Sequence, residues 1–525
     1  MSRKYTYPKL NIPTESLVIC NLRHDRMDGQ IAACVLQGIV NQQSRQKIYV
    51  TNSYCFDNKR GGKTQVQIAE RFLKELYDDL PSEKLIPDDN QNWPGFMALF
   101  KRFKKFVKGV IIWDPKLEQA TIEAATTIAG QTDGLVVSPE IADSFEDDLP
   151  VITDLRDFEF KTNLECLKWL LANWMEGANK DFAFTWSHMT TDGRTWGAAN
   201  KDYVVAQKLF TYYLDITNQE EAERYSDVLK HYAPGTPILG WTDERWSDAL
   251  FMKLGYFMVP YISVENMTVH ASFPSTTGKQ GEPKAMPIQT NGVYISFFVA
   301  DGDNLLHSMV YEPAMILNLK AYGHIPLTWV INPGLVDLAP KLFDWYMARK
   351  ENNQEFASMI SDGHPSSDHY SAFNFYCNFA RAYLKRAGMM TMKQMEESEA
   401  VAWNIQPYVM NSGYAGPTSS CHSGLCHKGI GPYEYHMDNE TFHIGSVKLD
   451  DNPETIRKLV RNAPGKGPLF FSVFCGTAVK DIPALVEKVA EELQASEAED
   501  EHRYFFLRSV DLAATYREYI GMNIS

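Results

Sequence analysis

Residues 292–304 read Gly-Val-Tyr-Ile-Ser-Phe-Phe-Val-Ala-Asp-Gly-Asp-Asn. Most of the first eight are β-branched or aromatic, which predicts a buried strand. Charge begins abruptly at Asp301, where the predicted strand ends. In parallel β/α architectures, ligand sites lie beyond the carboxyl ends of the strands. The stretch therefore predicts a parallel sheet and places a candidate site at its edge.

Strand and helix patterns alternate on both sides of this stretch. Upstream, a helical pattern at 31–40 lies between short strand patterns at 17–22 and 48–50. This alternation favours an α/β fold with parallel, helix-covered sheets. The other predicted strands are 109–113, 134–137, 237–241, 325–330, 469–474 and 504–507, and the other predicted helices are 117–129, 164–174, 203–214, 247–254 and 482–493.

The chain is long enough for several domains, since its 525 residues exceed what one hydrophobic core usually organises. Residues 1–150 are predicted to form small N-terminal α/β units, and residues 151–235 a mainly helical bridging region. Residues 236–525 are predicted to form a β/α barrel-like domain that carries the candidate catalytic site.

The charge balance excludes some partners. A formal net charge of -15 opposes binding to nucleic acid, which requires clustered cations. The basic stretch 101–108 has its apolar residues at helical spacing and is interpreted as an amphipathic surface helix. No apolar run is long enough to span a bilayer, and the first residues lack the core of a signal peptide. A cytoplasmic protein and an exported one whose signal has been removed both fit.

Asp301 and Asp303 are the first candidates for catalysis. Residues two apart on an extended chain point the same way and stand roughly 6.5 to 7 Å apart, although Gly302 lets the backbone bend. Paired carboxylates divide acid and base work in glycosidases. With Asn304 and His307, the same pair also suits a divalent cation. In a glycosidase, Asn304 is predicted to orient the sugar. The plainer alternative is a turn, which Asp, Gly and Asn favour for backbone reasons.

Other polar residues follow predicted strands. Glu244 comes just after the strand at 237–241 and is a candidate partner acid or base, while Trp241 offers an indole face to a sugar ring. Core packing for Trp241, and an ion pair or a helix N-terminus for Glu244, are the structural alternatives. Asn266 and His270 alternate in a strand-like run and are candidates for substrate contact. A lone histidine is more often structural.

Two segments that contain histidine are candidates for metal binding. Asp362 and His364 lie in a turn-rich loop that suits either substrate contact or metal ligation. Cys421 and Cys426, each followed by histidine, have the spacing of half a zinc site without a clear second half. The metal ligands, if there are any, therefore stay unassigned.

Several segments together resemble a family named for a GxGYxYP motif, described as glycoside hydrolases. The resemblance rests on 36–41 (LQGIVN) followed by Ile48-Tyr49, on 239–241 with Glu244, on Asn266, and on 301–304. The place where the naming motif is expected, after the helix pattern at 335–346, holds Ser-Asp-Gly-His-Pro at 361–365. The chain is thus similar to a divergent branch of the family.

The resemblance implies a carbohydrate-related enzyme without fixing its reaction. Hydrolysis of a glycosidic bond is the leading hypothesis. For the fold, it implies small N-terminal α/β units and a C-terminal barrel-like domain. No cofactor is predicted, with a divalent cation left open. Metal-dependent deacetylation of a carbohydrate is the rival enzyme activity, since a strand followed by Asp-Gly-Asp also resembles the acidic motif of polysaccharide deacetylases. A non-catalytic carbohydrate-binding protein is the rival outside enzymes. The oligomeric state stays open.

Overall fold

The structure is a computed structural model of the chain. It describes residues 6–52, 62–88, 91–145, 149–186, 200–242, 246–261, 264–299, 302, 304–318, 323–351, 353–359, 370–394, 404–414, 434–449, 454–464, 467–475 and 481–522. The chain divides into two compact units. Unit 1 comprises Met1–Ser275, Met309–Tyr311 and Asp337–Trp345, and unit 2 comprises Thr276–Ser308, Glu312–Val336 and Tyr346–Ser525.

Unit 1 contains three small parallel sheets, in the strand orders β2-β1-β3, β5-β4-β6 and β7-β8-β9. The predicted β-α-β beginning is confirmed, because a helix joins the first two parallel strands. The strands are β1 Ser16–Asn21, β2 Gln46–Thr51, β3 Ser82–Lys84, β4 Gly109–Ile112, β5 Gly134–Val137, β6 Val151–Asp154, β7 Ala183–Trp186, β8 Pro237–Trp241 and β9 Phe257–Pro260.

The helices of unit 1 cover these sheets. In α1, Met27–Asn41, every residue from Gly29 to Asn41 is buried, so this helix lies inside the unit rather than on its surface. The others are α2 Gly62–Glu75, α3 Pro94–Phe103, α4 Glu118–Thr132, α5 Pro139–Asp143, α6 Asn163–Trp174, α7 Lys201–Ala206, α8 Gln219–Glu223, α9 Tyr225–Leu229, α10 Trp246–Leu254 and α11 Met267–His270.

The helix predicted at 203–214 is wrong beyond Ala206. The chain leaves the helix through Lys208, whose φ is 53°, in the left-handed region. The following buried backbone is satisfied by a side chain of α4: the Thr127 hydroxyl donates to the Thr211 carbonyl and accepts from the Thr211 amide, each at 2.8 Å. Burial and not helix formation explains the apolar residues of this segment.

Unit 2 contains a closed barrel. Its strands are β10 Gly292–Val299, β11 Leu327–Ile331, β12 Gln354–Ser358, β13 Thr391–Gln394, β14 Val409–Tyr414, β15 Tyr435–Asp438, β16 Thr441–Lys448, β17 Leu469–Cys475 and β18 Arg503–Phe506. The helical segments from residue 307 onward are a π-helical turn His307–Tyr311, α12 Glu312–Asn318, α13 Leu335–Leu338, α14 Pro340–Arg349, α15 Tyr370–Arg386, α16 Glu454–Asn462, α17 Ile482–Ala495, α18 Glu497–Asp500 and α19 Ser509–Tyr519.

Seven of the described strands close the ring, all of them parallel to their neighbours. The order is β10-β11-β12-β13-β14-β16-β17, and β17 returns to β10. β15 adds to β16 in the antiparallel sense, and β18 pairs with the first half of β10. The predicted barrel is thus confirmed.

The predicted domain limits at 150 and 235 stay predictions. The strands β8 and β9 pair with β7 in unit 1, and the first described strand of the barrel is β10.

Both faces of the barrel wall carry aromatic residues. On the outer face Phe356 packs against Tyr346 of α14, with ring centroids 5.3 Å apart. On the inner face, Tyr294, Ser296 and Phe298 of β10 are in register with Phe470, Ser472 and Phe474 of β17. β10 and β17 therefore line the interior with aromatic rings near each end and with serine side chains between them.

Helix α19 closes the amino end of the barrel. Its residue Val510 belongs to the same buried apolar cluster as Tyr294, Phe442 and Phe470, which lie in the amino halves of their strands. Tyr516 of α19 packs against Phe442, with ring centroids 4.8 Å apart. Because the seven strands are parallel, their carboxyl ends gather at the opposite end of the barrel, which is where ligand sites lie in this architecture.

Candidate active site

The segment after β10 is held tightly against the neighbouring strand. A Cβ added to Gly302 would lie 1.6 Å from the carbonyl oxygen of Val330, which is on β11. Only glycine allows the two backbones to approach so closely. Asp301 and Asp303 lie outside the described residues, but the glycine between them is fixed at the carboxyl edge of the barrel.

A series of hydrogen bonds also holds the backbone at Gly302 in place. The Ser308 hydroxyl donates to the carbonyl of Gly302 at 2.7 Å and accepts from the amide of Asn332 at 2.9 Å. The Tyr346 hydroxyl donates to the carbonyl of Ser308 at 2.8 Å. All of these side chains are buried. These bonds hold the backbone at Gly302 and Ser308 in place beside β11.

Asn304 begins the helical segment that follows. Its Oδ1 accepts from the amide of Leu306 at 3.0 Å, and its carbonyl accepts from the amides of His307 and Ser308. This is the geometry of an N-cap. The predicted role of Asn304 in orienting a sugar would have to use the remaining amide nitrogen, Nδ2. Its role as a helix cap was foreseeable, because asparagine before an apolar helix is a standard start signal.

A lysine lies inside the barrel, near the carboxyl end of β10. Lys393 on β13 is only 2% exposed, and its Nζ lies 5.3 Å from the centroid of the Phe298 ring on β10. Val330 and Ala357 are buried inner-face residues at the same end. Sequence reasoning missed this lysine, because strand β13 is short and was not predicted.

The middle of the barrel holds a closed polar network. Asn411 of β14 donates from Nδ2 to the Ser472 hydroxyl at 2.7 Å, and its Oδ1 accepts from the Ser446 hydroxyl at 2.6 Å. The three residues come from three consecutive strands of the ring. The network ties the neighbouring strands β14, β16 and β17 together on the inner face of the barrel.

Glu355 of β12 lies at the amino end of the barrel interior. Its carboxylate accepts from the hydroxyl groups of Thr328 and Thr391 and, at 3.2 Å, from the amide of Val510 at the start of α19. Burial raises the pKa of the Glu355 carboxyl, and the hydrogen bonds from Thr391 and Val510 oppose that rise. The residue anchors the helix that closes the barrel.

The predicted residues Asn266 and His270 lie in unit 1 and are buried there. Asn266 accepts from the amide of Val50 at 2.8 Å and donates to the carbonyl of the same residue at 2.9 Å. Nδ1 of His270 lies 2.5 Å from the Tyr77 hydroxyl, and burial lowers the pKa of this imidazole to about 3. A cavity of about 20 Å³, enough for about one water, adjoins both residues. Contact with substrate stays a prediction for them.

Trp241 is half-buried at the carboxyl end of β8 in unit 1. The strand takes a sharp turn just before it: Gly240 has φ 129°, and a Cβ there would meet the Thr185 carbonyl at 1.8 Å. The predicted residues Glu244, Asp362 and His364 lie outside the described residues, as do Cys421 and Cys426. His436 and His443 stack face to face, and burial with His436 beside it lowers the pKa of His443 to about 4.

Within the described ranges, no group of three or more His, Cys, Asp or Glu side chains is placed to hold a metal ion. Among the same residues, no helix is both long and apolar enough to cross a membrane.

Three family models match the chain. They are the GxGYxYP putative glycoside hydrolase C-terminal domain at residues 291–490, the GxGYxYP third domain at 186–272 and the GxGYxYP_N second domain at 107–178. Together they cover more than half of the sequence. The chain belongs to the GxGYxYP family. Membership supports a general hydrolase role, and the C-terminal match contains the whole segment 292–304.

A solved structure has the same fold. It is a crystal structure of a putative hydrolase from Bacteroides thetaiotaomicron VPI-5482, with a TM-score of 0.77 and 17% sequence identity. The match covers 99% of this chain and 97% of that one. At this identity the similarity concerns the fold alone. No curated protein matches the chain.

Two stretches later in the sequence than 361–365 partly match the letters of the naming motif. Residues 411–417 read Asn-Ser-Gly-Tyr-Ala-Gly-Pro and keep Gly413, Tyr414 and Pro417 of the pattern. Residues 429–435 read Gly-Ile-Gly-Pro-Tyr-Glu-Tyr and keep both glycines, with both tyrosines displaced by one inserted residue. The first stretch begins on β14, at Asn411 of the polar network, so it reaches the carboxyl edge of the barrel.

The N-terminal signature, the stretch 36–41 by which this chain resembles the GxGYxYP family, has a structural explanation. Gln37 donates to Oδ1 of Asn266 at 2.7 Å, and Asn41 donates to the Thr268 hydroxyl at 2.8 Å. A Cβ on Gly38 would meet the carbonyl of Asp202 at 2.5 Å. The signature residues therefore join α1 to the segment around α11, which is more than 200 residues later in the chain.

Unit 1 also has a cavity of about 410 Å³ that sequence reasoning missed. Trp113 and Ser138, which follow β4 and β5 directly, line it together with Arg26, Asp28 and Glu118. Asp28 accepts from the Ser138 hydroxyl at 2.8 Å, and burial together with the charge of Asp28 raises the pKa of Glu118. The signal that could have found it is the position of Trp113 and Ser138 at strand ends.

Proposed function

We propose that this protein hydrolyses a glycosidic bond at the carboxyl end of the unit 2 barrel, with Asp301 and Asp303 as the working carboxylates. The observation that carries the proposal is the fixed position of Gly302, which lies between the two acids and against the end of β11. Family membership supports the same reaction class. The substrate is a carbohydrate whose sugar and linkage are left open.

The chemistry needs one carboxyl group that donates a proton to the leaving oxygen and one carboxylate that acts as base or nucleophile. Two acids near each other acquire different pKa values when their surroundings differ, which divides these roles. The supports at Ser308, Asn332 and Tyr346 reduce the motion of the segment that carries them. Glu244 is the further candidate acid, and Trp241, Asn304, Asn266, His270, Asp362 and His364 are the candidate substrate contacts.

The test uses the purified full chain with a panel of 4-methylumbelliferyl glycosides. Asp301→Asn and Asp303→Asn are each expected to reduce turnover by about 100-fold or more while the melting temperature stays close to that of the parent protein. Glu491→Gln, which removes an exposed carboxylate from α17, is the matched control and is expected to leave turnover unchanged. Parent-like rates in both aspartate variants would refute the proposal.

Two further measurements separate the rival functions. Release of acetate from an acetylated oligosaccharide, abolished by EDTA and restored by a divalent cation, would favour a metal-dependent deacetylase. Saturable binding of an oligosaccharide in calorimetry, without turnover of any panel member, would favour a non-catalytic binding protein. Glycosidase activity that resists EDTA is the expected result.

A further inference from the structure

The unit 1 cavity lies at the carboxyl ends of two neighbouring parallel strands. Trp113 directly follows β4, Ser138 directly follows β5, and both residues line the cavity. In this sheet the chain passes from β4 to β5 on one side, and then from β5 to β6 on the other side of β4. Connections between parallel strands are right-handed, so these two leave on opposite faces of the sheet. A crevice results between the two strand ends, which is where open α/β sheets bind ligands.

The size and the wall of this cavity are those of a small-molecule site. Its volume of about 410 Å³ falls in the lower part of the range that such sites occupy, roughly 300 to 1,000 Å³. An apolar wall with a few polar groups is also typical of them. Five of the ten lining residues are apolar, namely Met27, Ile31, Trp113, Pro115 and Pro139.

One side of the cavity is already held in place by its own contacts. The Asp28 carboxylate accepts from the Trp93 indole at 2.8 Å and from the Ser138 hydroxyl at 2.8 Å. Arg26 forms an ion pair with Glu140 at 2.7 Å, and its guanidinium carbon lies 4.7 Å from the centroid of the Trp93 ring. The charges of Asp28 and Arg26 therefore have partners before any ligand binds.

Two other polar groups of the wall have no hydrogen-bond partner among the residues that the structure describes. Trp113 is 7% exposed, and its buried indole nitrogen Nε1 has no acceptor. A buried indole N–H usually finds one. The Glu118 carboxylate forms no hydrogen bond or ion pair with a described residue, and the nearby charge of Asp28 disfavours its ionised form. The wall thus offers one donor and one acceptor.

The charge of the wall disfavours an anionic ligand. It carries three carboxylates and one guanidinium, and that guanidinium is paired with Glu140. Asp28 and Glu118 lie in the first turns of α1 and α4, where they already compensate the positive ends of the helix dipoles. Within the described ranges, these carboxylates are also not grouped to hold a metal ion.

A hydroxyl group fits the two remaining polar groups, because it both donates and accepts hydrogen bonds. One hydroxyl-rich ligand can therefore donate to Glu118 and accept from Trp113. An indole also offers an apolar face, on which the C–H face of a sugar ring can pack.

We propose that the unit 1 cavity is a binding site for a neutral mono- or disaccharide. Hydroxyl groups of the sugar donate to the Glu118 carboxylate and accept from Nε1 of Trp113, while its C–H face contacts the apolar side chains. The inference is drawn from unit 1 alone and does not depend on the reaction proposed for the barrel.

The test measures binding to the purified full chain by calorimetry. The ligands are glucose, galactose, mannose, xylose, cellobiose and maltose, and at least one is expected to bind saturably. For that sugar, Glu118→Ala and Trp113→Phe are each expected to raise Kd by about 10-fold, since each removes one hydrogen-bonding group. The melting temperature of both variants is expected to stay close to that of the parent protein.

Two variants of unit 1 serve as matched controls. Trp174→Phe removes another buried indole N–H without a described partner, and Glu176→Ala removes another exposed carboxylate. Neither residue lines the cavity, so Kd is expected to stay unchanged in both. Equal changes of Kd in the control and cavity variants would overturn the inference.

Asp301→Asn separates this site from the one proposed in the barrel, and sugar binding is expected to persist in it. Binding that is lost in Asp301→Asn and kept in both cavity variants would overturn the inference. Absence of binding by every sugar would do the same, and so would binding of spermidine alone that Glu118→Ala abolishes. Binding at the cavity without turnover of any glycoside would refute the proposed function and still support this inference.

Discussion

At the scale of single residues, position 302 has room only for glycine. Its neighbours Asp301 and Asp303 are the proposed working carboxylates, and the glycine between them lies directly against β11. The position has no left-handed φ, so the requirement comes from the 1.6 Å approach of a Cβ to the Val330 carbonyl and not from backbone strain.

Gly302→Ala is expected to lower the free energy of unfolding by about 1 to 3 kcal/mol and to reduce turnover, because the loop must shift away from β11 to make room for a methyl group. Urea unfolding and the glycoside assay measure the two effects. Gly281→Ala is the control, since a Cβ there would meet only the end of the Arg508 side chain at 3.6 Å. A Gly302→Ala variant as stable and active as the parent would contradict the tight approach.

His270 makes the stability of unit 1 depend on pH. Burial lowers the pKa of His270 in the folded protein from 6.5 to about 3. A depressed folded pKa means that the folded state favours the neutral ring. The corresponding stability is present above pH 6.5 and is lost as the pH falls towards 3.

His270→Gln removes this titration. Between pH 6.5 and 4.5 the parent protein is expected to lose about 2 to 3 kcal/mol more of its free energy of unfolding than the variant does. Urea unfolding of both proteins across this pH range gives the difference. Parallel curves for the two proteins would show that the folded imidazole titrates normally.

At the scale of elements, Glu355 of β12 connects this strand to the start of helix α19. The start of a helix leaves backbone amides without partners, and Glu355 accepts from one of them, that of Val510, inside the barrel. The same carboxylate accepts from threonines of β11 and β13. One side chain thus links three strands of the wall to the helix that closes its amino end.

Glu355→Ala is expected to lower the free energy of unfolding by about 3 kcal/mol, because buried hydrogen-bonding groups on β11, β13 and α19 lose their acceptor together. Hydrogen exchange should show faster exchange at the Val510 amide than in the parent protein. Thr391→Val, which removes one donor only, is the control and should cost about 1 kcal/mol. Equal losses in the two variants would mean that Glu355 does not anchor the helix.

At the scale of the whole molecule, the features that could be predicted from the sequence are those with local patterns. The features that could not be predicted depend on contacts between residues far apart in the chain. The strand at 292–299 and its polar end are readable because both signals lie in thirteen consecutive residues. The order of the ring is not readable, since β10 lies between β11 and β17, whose residues are far apart in the chain. The helix predicted at 203–214 failed because tertiary contacts through Thr127 override the apolar spacing.

The residues of the candidate site likewise include some that the sequence predicts and some that it does not. Asp301, Asp303 and Asn304 could be proposed from one stretch of sequence, whereas Lys393 lies on a strand of four residues that no local pattern distinguishes. Asn266 and His270 were singled out as polar residues in an apolar run. Their partners Val50 and Tyr77, supplied from distant parts of unit 1, give them packing roles that sequence alone does not show.

The pairing of β18 with β10 has a consequence for biosynthesis. β10 is among the most apolar strands of the chain, and one of its partners emerges from the ribosome about 200 residues later, which is roughly 10 to 40 seconds at ordinary rates of translation. During that interval the nascent segment exposes an unsatisfied edge that can aggregate with other chains. Shielding of this segment during synthesis is therefore expected to raise the yield of folded protein.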